Sequence, residues 1–341
     1  MFFSKKIKAA ALCAAAIMSL GLIAGCGSDD KAAGSSTDKQ YKIGIVQLVE
    51  HNALDAANKG FVDALKERGF EEGRNLVVDQ QNAQADQSNL QNIGQRFVND
   101  KDDLIYAIAT PAAQTVANLT KDIPIIGSAI TDYEAAKLVK SNKEPGGNLT
   151  GTSDMNPIKE QIDLLLKIAP NTKTIGCIYT SSEVNSEIQY KAMKEYAESK
   201  GLKVEAATIS TVNDIQQAAQ SMVGKVDAFY EPTDNVIASA IPTLVAITDP
   251  AQKPVICGEA NMVKGGGLAT YGVDYYELGK QSGYMAADIL EGKAKPATMP
   301  IQFAKVLKAM VNKADAARLG ITIPDDILKD AEIVEQSHEY M

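Results

Sequence analysis

Histidine is scarce in this sequence: His51 and the near-terminal His338 are the only two. A histidine-based triad would have to use one of them, and no Gly-x-Ser-x-Gly elbow accompanies either. Cysteine is nearly as sparse, with four residues: Cys13, Cys26, Cys177 and Cys257. They form no Cys-x-x-Cys pair and no His-Glu-x-x-His is present, so the spacings that mark a metal site are missing. Basic residues are outnumbered, 34 Lys and Arg against 43 Asp and Glu, for a net charge of −9. An acidic surface does not suit nucleic acid, whose phosphates require basic patches, or attachment to anionic lipid through charge. Gly265-Gly266-Gly267 is no phosphate loop, because it precedes a strand pattern and lacks the following Lys-Ser/Thr. No metal or cofactor is called for.

What is present starts at the N-terminus. Lys5, Lys6 and Lys8 precede an uncharged apolar run over 9–24, and the small residues Ala24 and Gly25 stand before Cys26. That order is a secretory signal, and small-small-Cys is the pattern processed in bacterial lipoproteins. Residues 1–25 are expected to leave as a signal peptide, and Cys26 to carry lipid. Loss of three lysines takes the net charge from −9 to −12. A spanning anchor with an incidental cysteine is the alternative, but the run is short for a bilayer core. The expected location is therefore outside the cytoplasm, tied to the cell membrane by lipid. Residues 26–40 are polar and low in complexity, a flexible tether.

The whole sequence is 45% hydrophobic and 23% charged, as in globular proteins, and the chain beyond the tether is long enough for two domains. After the strand pattern over 41–49, apolar strands and amphipathic helices alternate. Leu54, Ala57, Phe61 and Leu65 share one helical face over 53–69; strands follow at 76–78, 104–109 and 124–127, with helices at 88–98 and after Pro111. A second series follows Pro145-Gly146-Gly147: helices over 156–168, 184–199, 214–223 and 235–248, and strands over 174–179, 202–209, 226–230, 254–257 and 268–271. Alternation of this kind predicts parallel sheets covered by helices on both faces. Two successive units of one plan predict two like lobes with a ligand cleft at the facing strand ends. Cys177 and Cys257 fall in buried-strand patterns and read as core thiols, a disulfide being the alternative.

Several strings carry a family resemblance: Val49-Glu50-His51-Asn52-Ala53-Leu54-Asp55, Ala109-Thr110-Pro111-Ala112-Ala113-Gln114, Asn148-Leu149-Thr150-Gly151-Thr152-Ser153-Asp154, Tyr179-Thr180-Ser181-Ser182-Glu183-Val184-Asn185-Ser186 and Pro232-Thr233-Asp234-Asn235. The most specific is Gly266-Gly267-Leu268-Ala269-Thr270-Tyr271-Gly272-Val273-Asp274-Tyr275-Tyr276-Glu277-Leu278-Gly279. From Tyr41 to about Pro324 the chain resembles the ABC-transporter substrate-binding proteins of the type I periplasmic-binding fold associated with tryptophan, tyrosine and phenylalanine uptake. Asn52 departs from the proline usual at that place and leaves the first loop less rigid.

The resemblance implies two Rossmann-like, doubly wound α/β lobes joined by a three-crossing hinge: 41–152 plus 275–305, and 153–274 plus 306–341. Hinge positions are expected near 131–132 or 151–154, near 271–275 and after Phe303. It implies a monomeric receptor that binds a small amino acid, aromatic by family, by lobe closure, and serves a permease and an ATPase.

An amino acid needs donors for its carboxylate and acceptors for its ammonium. Helix starts supply donors, which points to Thr180, Ser181 and Ser182 on one lobe and to Thr110 and Pro111 on the other. Capping of their own helices is the competing reading for such residues. Acid candidates for the ammonium are Asp154, Asp234, Glu259 and Asp274, with Asp234 and Asp274 preferred. Glu50 and His51 close the first strand, and Asn185 and Asn235 stand beside the second-lobe motifs. Tyr271 heads a tyrosine cluster able to stack on an aromatic ligand. A receptor feeding a signalling partner, and an exported enzyme on the same scaffold, are the alternative functions.

Overall fold

The computed structural model describes residues 39–335. The signal peptide, Cys26, most of the tether and His338 lie outside the described residues. Why the chain forms two sheets is legible in burial. The first series runs β1 (Tyr41–Gln47), α1 (Asn52–Glu67), β2 (Leu76–Asn82), α2 (Gln87–Asn99), β3 (Leu104–Ile108), α3 (Thr110–Leu119), β4 (Ile125–Ile130) and β5 (Leu149–Ser153). Every residue of β3, β4 and β5 is buried, whereas β2 mixes exposed and buried positions. The uniformly buried strands lie inside and β2 takes the edge.

The second series runs α4 (Ile158–Ile168), β6 (Thr174–Thr180), α5 (Val184–Ser199), β7 (Lys203–Ile209), α6 (Ile215–Met222), β8 (Ala228–Glu231), α7 (Asn235–Ser239), α8 (Ile241–Thr248), β9 (Val255–Cys257), α9 (Ala260–Lys264) and β10 (Ala269–Val273). The chain then forms α10 (Tyr275–Leu290), β11 (Gln302–Phe303), β12 (Leu307–Asn312), α11 (Lys313–Arg318), α12 (Asp325–Leu328) and β13 (Ala331–Val334). Strand order is β11-β5-β4-β3-β1-β2 in the first sheet and β13-β12-β10-β9-β8-β6-β7 in the second. All pairings are parallel except β10 with β12. The chain therefore passes between sheets three times: after β5, after β10 and between β11 and β12. Two α/β lobes result, the type I periplasmic-binding fold.

Helix α10 returns to the first lobe and lies directly on α1. A Cβ on Gly279 would stand 2.0 Å from the Ala57 carbonyl oxygen, and one on Gly60 2.1 Å from that of Tyr276. Only glycine permits this approach, and it pins the start of α10 to the start of α1.

Some elements differ from expectation. The helix expected over 235–248 is broken at Ala240, whose φ of −136° is not helical. Pro242 lacks an N–H and its ring crowds the preceding turn, so a new helix begins there. Short α9 and strands β11 and β13 carry too little periodicity to register in the sequence. Cys177 and Cys257 are both buried and free, on β6 and β9 with β8 between them. Among the described residues no helix is long and apolar enough to cross a membrane.

Candidate functional site

A small, nearly shut cavity of about 10 Å³ lies between the lobes. The first lobe and its crossings contribute His51, Leu54, Ala129, Thr131, Asp154 and Tyr275, and the second contributes Asn185, Thr233, Asp234, Asn235, Ala238 and Glu259. Each polar residue follows the carboxyl end of a strand: His51 after β1, Thr131 after β4, Asp154 after β5, Asn185 after β6, Thr233 to Asn235 after β8, Glu259 after β9 and Tyr275 after β10. This is where an open α/β sheet places its ligand.

The second-lobe acids are held by helix starts. Asp234 caps α7, accepting from Ile237 N at 2.9 Å, and accepts from Thr180 N at 2.6 Å and Thr180 Oγ1 at 2.9 Å. Glu259 caps α9, accepting from Asn261 N at 2.6 Å and Met262 N at 2.7 Å. Behind Asn235, Glu183 accepts from Asn235 N at 3.1 Å, Val236 N at 3.2 Å and Asn185 Nδ2 at 2.9 Å. On the first-lobe side Asp154 accepts from Tyr275 OH at 2.6 Å and from Thr131 Oγ1 at 3.4 Å.

Among the described residues no lysine or arginine lines this cavity. Burial pushes the Asp154 carboxyl up to about 6 and Glu259 up to about 7. It raises Glu183 and Asp234 as well, and their proximity adds repulsion to Glu183. Glu231, at the end of β8, is wholly buried, which raises it well above the carboxylate range, and its Oε2 has no partner. A pocket with this many acids and no buried cation can receive a positively charged donor group; such a charge-assisted bond contributes about 1.5–3 kcal/mol.

His51 closes one side. Asn235 donates its Nδ2 to Glu183, which fixes Asn235 Oδ1 as an acceptor. His51 Nε2, 3.2 Å away, must then be the donor, leaving Nδ1 without a hydrogen or a partner. Burial lowers the imidazole pKa, partly offset by the Asn235 bond and Asp55, so the ring is neutral near pH 7. Asn185 Oδ1 is also buried without a partner.

Of the residues singled out from sequence, His51, Asp154, Asn185, Asp234, Asn235 and Glu259 are brought together here. Glu50 is exposed and lines the outer cleft, which shares His51, Ala238 and Glu259 with the cavity. Pro111 of the first lobe and Ser182 of the second line a separate polar groove whose other walls are first-lobe residues. Thr110 Oγ1 is buried without a partner at the start of α3, away from the cavity lining. Thr180 serves Asp234, and Ser181 is exposed, its N–H bonded to Ile209 O. Asp274 caps α10 and pairs with Lys308 at 2.6 Å; the lysine and helix N–H groups outweigh burial and hold it below the usual range. Tyr271 gives its backbone oxygen to Gln161 Nε2, and Tyr276 OH donates to Asp63, so Tyr275 is the one tyrosine of the cluster in the cavity lining. Sequence reasoning missed Thr131, Thr233 and Glu183. The structure shows what the sequence does not: the inward face of α5 opens with the polar residues Asn185, Ser186 and Gln189, all buried, where a packing helix would carry apolar ones.

A family model described as ABC transporter substrate binding protein matches residues 42–335. A tyrosine-binding protein of Clostridioides difficile (strain R20291) is 44% identical over 300 residues, covering 86% of each chain. A structure from Streptococcus pneumoniae, described as the ABC domain in complex with L-Trp, is 43% identical with a TM-score of 0.84, covering 87% of this chain and all of that one. The ligand-free, open structure of a substrate-binding protein with adhesive properties from Clostridium difficile is 44% identical with a TM-score of 0.67, at the same coverage. At nearly equal identity, the chain superposes better on the L-Trp complex than on the open form, consistent with hydrogen bonds that already bridge its lobes. The chain belongs to the ABC transporter substrate-binding protein family, whose members bind and hand over a substrate rather than transform it.

Proposed function

We propose that this protein is the extracytoplasmic receptor of an importer for a free aromatic L-amino acid: tyrosine, tryptophan or phenylalanine. The observation that carries the reading is the interlobe cavity, acidic, without a buried cation and closed by contacts from both lobes. The ammonium is received among Asp154, Asp234 and Glu259, with His51 Nδ1 and Asn185 Oδ1 as further acceptors. Donors for the carboxylate come from hydroxyls and helix-start amides at the rim, and Tyr275 and Leu54 supply surface for the ring. Relatives named for tyrosine and solved with L-Trp support an aromatic side chain.

Closure gives the mechanism. Ligand contacts shared by both lobes are complete only when the cleft shuts, so ligand shifts the population toward the closed form. A membrane permease and an ATPase recognise that form and supply transport and energy. Lipid on Cys26 keeps the receptor beside them; a Cys26→Ala chain should be released from the membrane fraction with unchanged affinity. Thermal denaturation in the presence of each of the twenty amino acids tests the ligand class. L-Tyr, L-Trp and L-Phe should each raise the midpoint. Stabilisation by only branched aliphatic acids, peptides or sugars would overturn the assignment.

A further inference from the structure

Gln189 lies on α5, about one turn beyond the cavity-lining Asn185, and does not line the cavity. It is fully buried, and every polar atom of its side chain is used. Its Oε1 accepts from Thr233 N at 3.1 Å, and its Nε2 donates to Thr233 Oγ1 within the same lobe. The same Nε2 donates at 2.8 Å to Thr131 Oγ1, which follows β4 on the first lobe. Thr131 Oγ1 passes its own hydrogen to Asp154 Oδ1, and Tyr275 OH donates to Asp154 Oδ2. Asp154 begins the first crossing and Tyr275 ends the second. The result is one buried chain from Thr233 through Gln189, Thr131 and Asp154 to Tyr275, every member at most 7% exposed.

A glutamine amide is neutral, has both a donor and an acceptor end, and can be fully satisfied only by partners on each side. Here one end belongs to the second lobe, while the other is shared with the first. Separating the lobes removes the Thr131 bond while leaving the Thr233 bonds intact. The geometry points to Gln189 as the closure latch of this receptor: a positioning residue that sets how stable the closed form is, without touching the ligand. The inference rests on the closure mechanism proposed above. It goes further in placing part of the binding affinity in a side chain that no ligand reaches.

Gln189→Ala and the near-isosteric Gln189→Leu test it. Three readouts are compared with the unaltered protein: calorimetric affinities for L-Tyr, L-Trp and L-Phe, stopped-flow dissociation rates, and small-angle scattering without ligand. A latch predicts affinities about tenfold lower for all three ligands in the same ratio, faster dissociation, and a larger radius of gyration for the unliganded protein. The thermal midpoint without ligand should move by no more than a few degrees in Gln189→Leu, which keeps the packing. Altered ranking among the ligands would make Gln189 a ligand contact, and unchanged affinity and scattering would remove it from closure; either result overturns the proposal. Should the unaltered protein bind none of the three amino acids, the ligand assignment fails, while the scattering comparison still decides the latch.

Discussion

On the second lobe, Asp234, Glu183 and Glu259 are held by backbone N–H groups of helices in their own lobe, whereas on the first lobe His51 and Thr131 find partners in Asn235 and Gln189 across the gap. The second-lobe half is therefore assembled whether or not the cleft is closed. The first-lobe half is completed by closing. Helix starts explain the difference: α7 and α9 offer unpaired amides that orient an acid at no cost in mobility. The first lobe instead brings an imidazole at the start of α1, a hydroxyl on the loop after β4 and a tyrosine at the start of α10. A rigid acidic floor and a moving lid follow from that division.

The comparison breaks most severely at the α1–α10 contact, which carries His51 at one helix start and Tyr275 at the other. Gly279→Ala puts a methyl 2.0 Å from the Ala57 carbonyl and should cost about 3 kcal/mol of unfolding free energy, read by urea denaturation. A loss below about 1 kcal/mol would mean that the two helices can part freely. Asp234→Ala comes next. It leaves Thr180 N and Oγ1 and Ile237 N without their acceptor, and should cost about 2–3 kcal/mol even with the cleft empty. If stability were kept and ligand affinity alone were lost, the floor would not be preassembled.

Titration sharpens the contrast at a smaller scale. Burial raises Asp154 to about 6 and Glu259 to about 7, from ordinary values of 3.8 and 4.5. The folded, empty protein thus retains protons that the unfolded chain releases. That stabilisation is complete below the ordinary carboxylate range and is lost as pH rises through about 7. Asp214 and Asp227, lowered by backbone bonds, act oppositely, but their contribution is lost only as pH falls below the ordinary range. The unliganded midpoint should decline between pH 5 and 8 by differential scanning calorimetry, while the shift produced by an amino acid grows. The smallest effect belongs to the lid: His51→Ala breaks the bond to Asn235 and should weaken ligand binding about fivefold by calorimetry while leaving unfolding stability within about 1 kcal/mol.

Much of this division was legible before the structure. Alternating apolar strands and helices gave the two lobes, and acids placed directly after strands gave Asp154, Asp234 and Glu259. Charge and position marked those residues, but not what each one does. Asp274 sits in the same sequence context as Asp234, yet Lys308, 34 positions later, reaches it from β12. No local pattern announces that pairing. Gln189 escaped for a similar reason. A glutamine inside a helix reads as a solvated position, and only the burial of the whole Asn185, Ser186 and Gln189 face shows otherwise.

The central claim is that an acidic cavity without a buried cation recognises an amino acid by its ammonium. Calorimetric titration with L-tyrosine and, in parallel, with 3-(4-hydroxyphenyl)propionate tests it most directly, because the second molecule differs only in lacking the amino group. L-Tyrosine should bind and the propionate should bind at least about a hundredfold more weakly or not at all. Equal binding of the two would contradict the account.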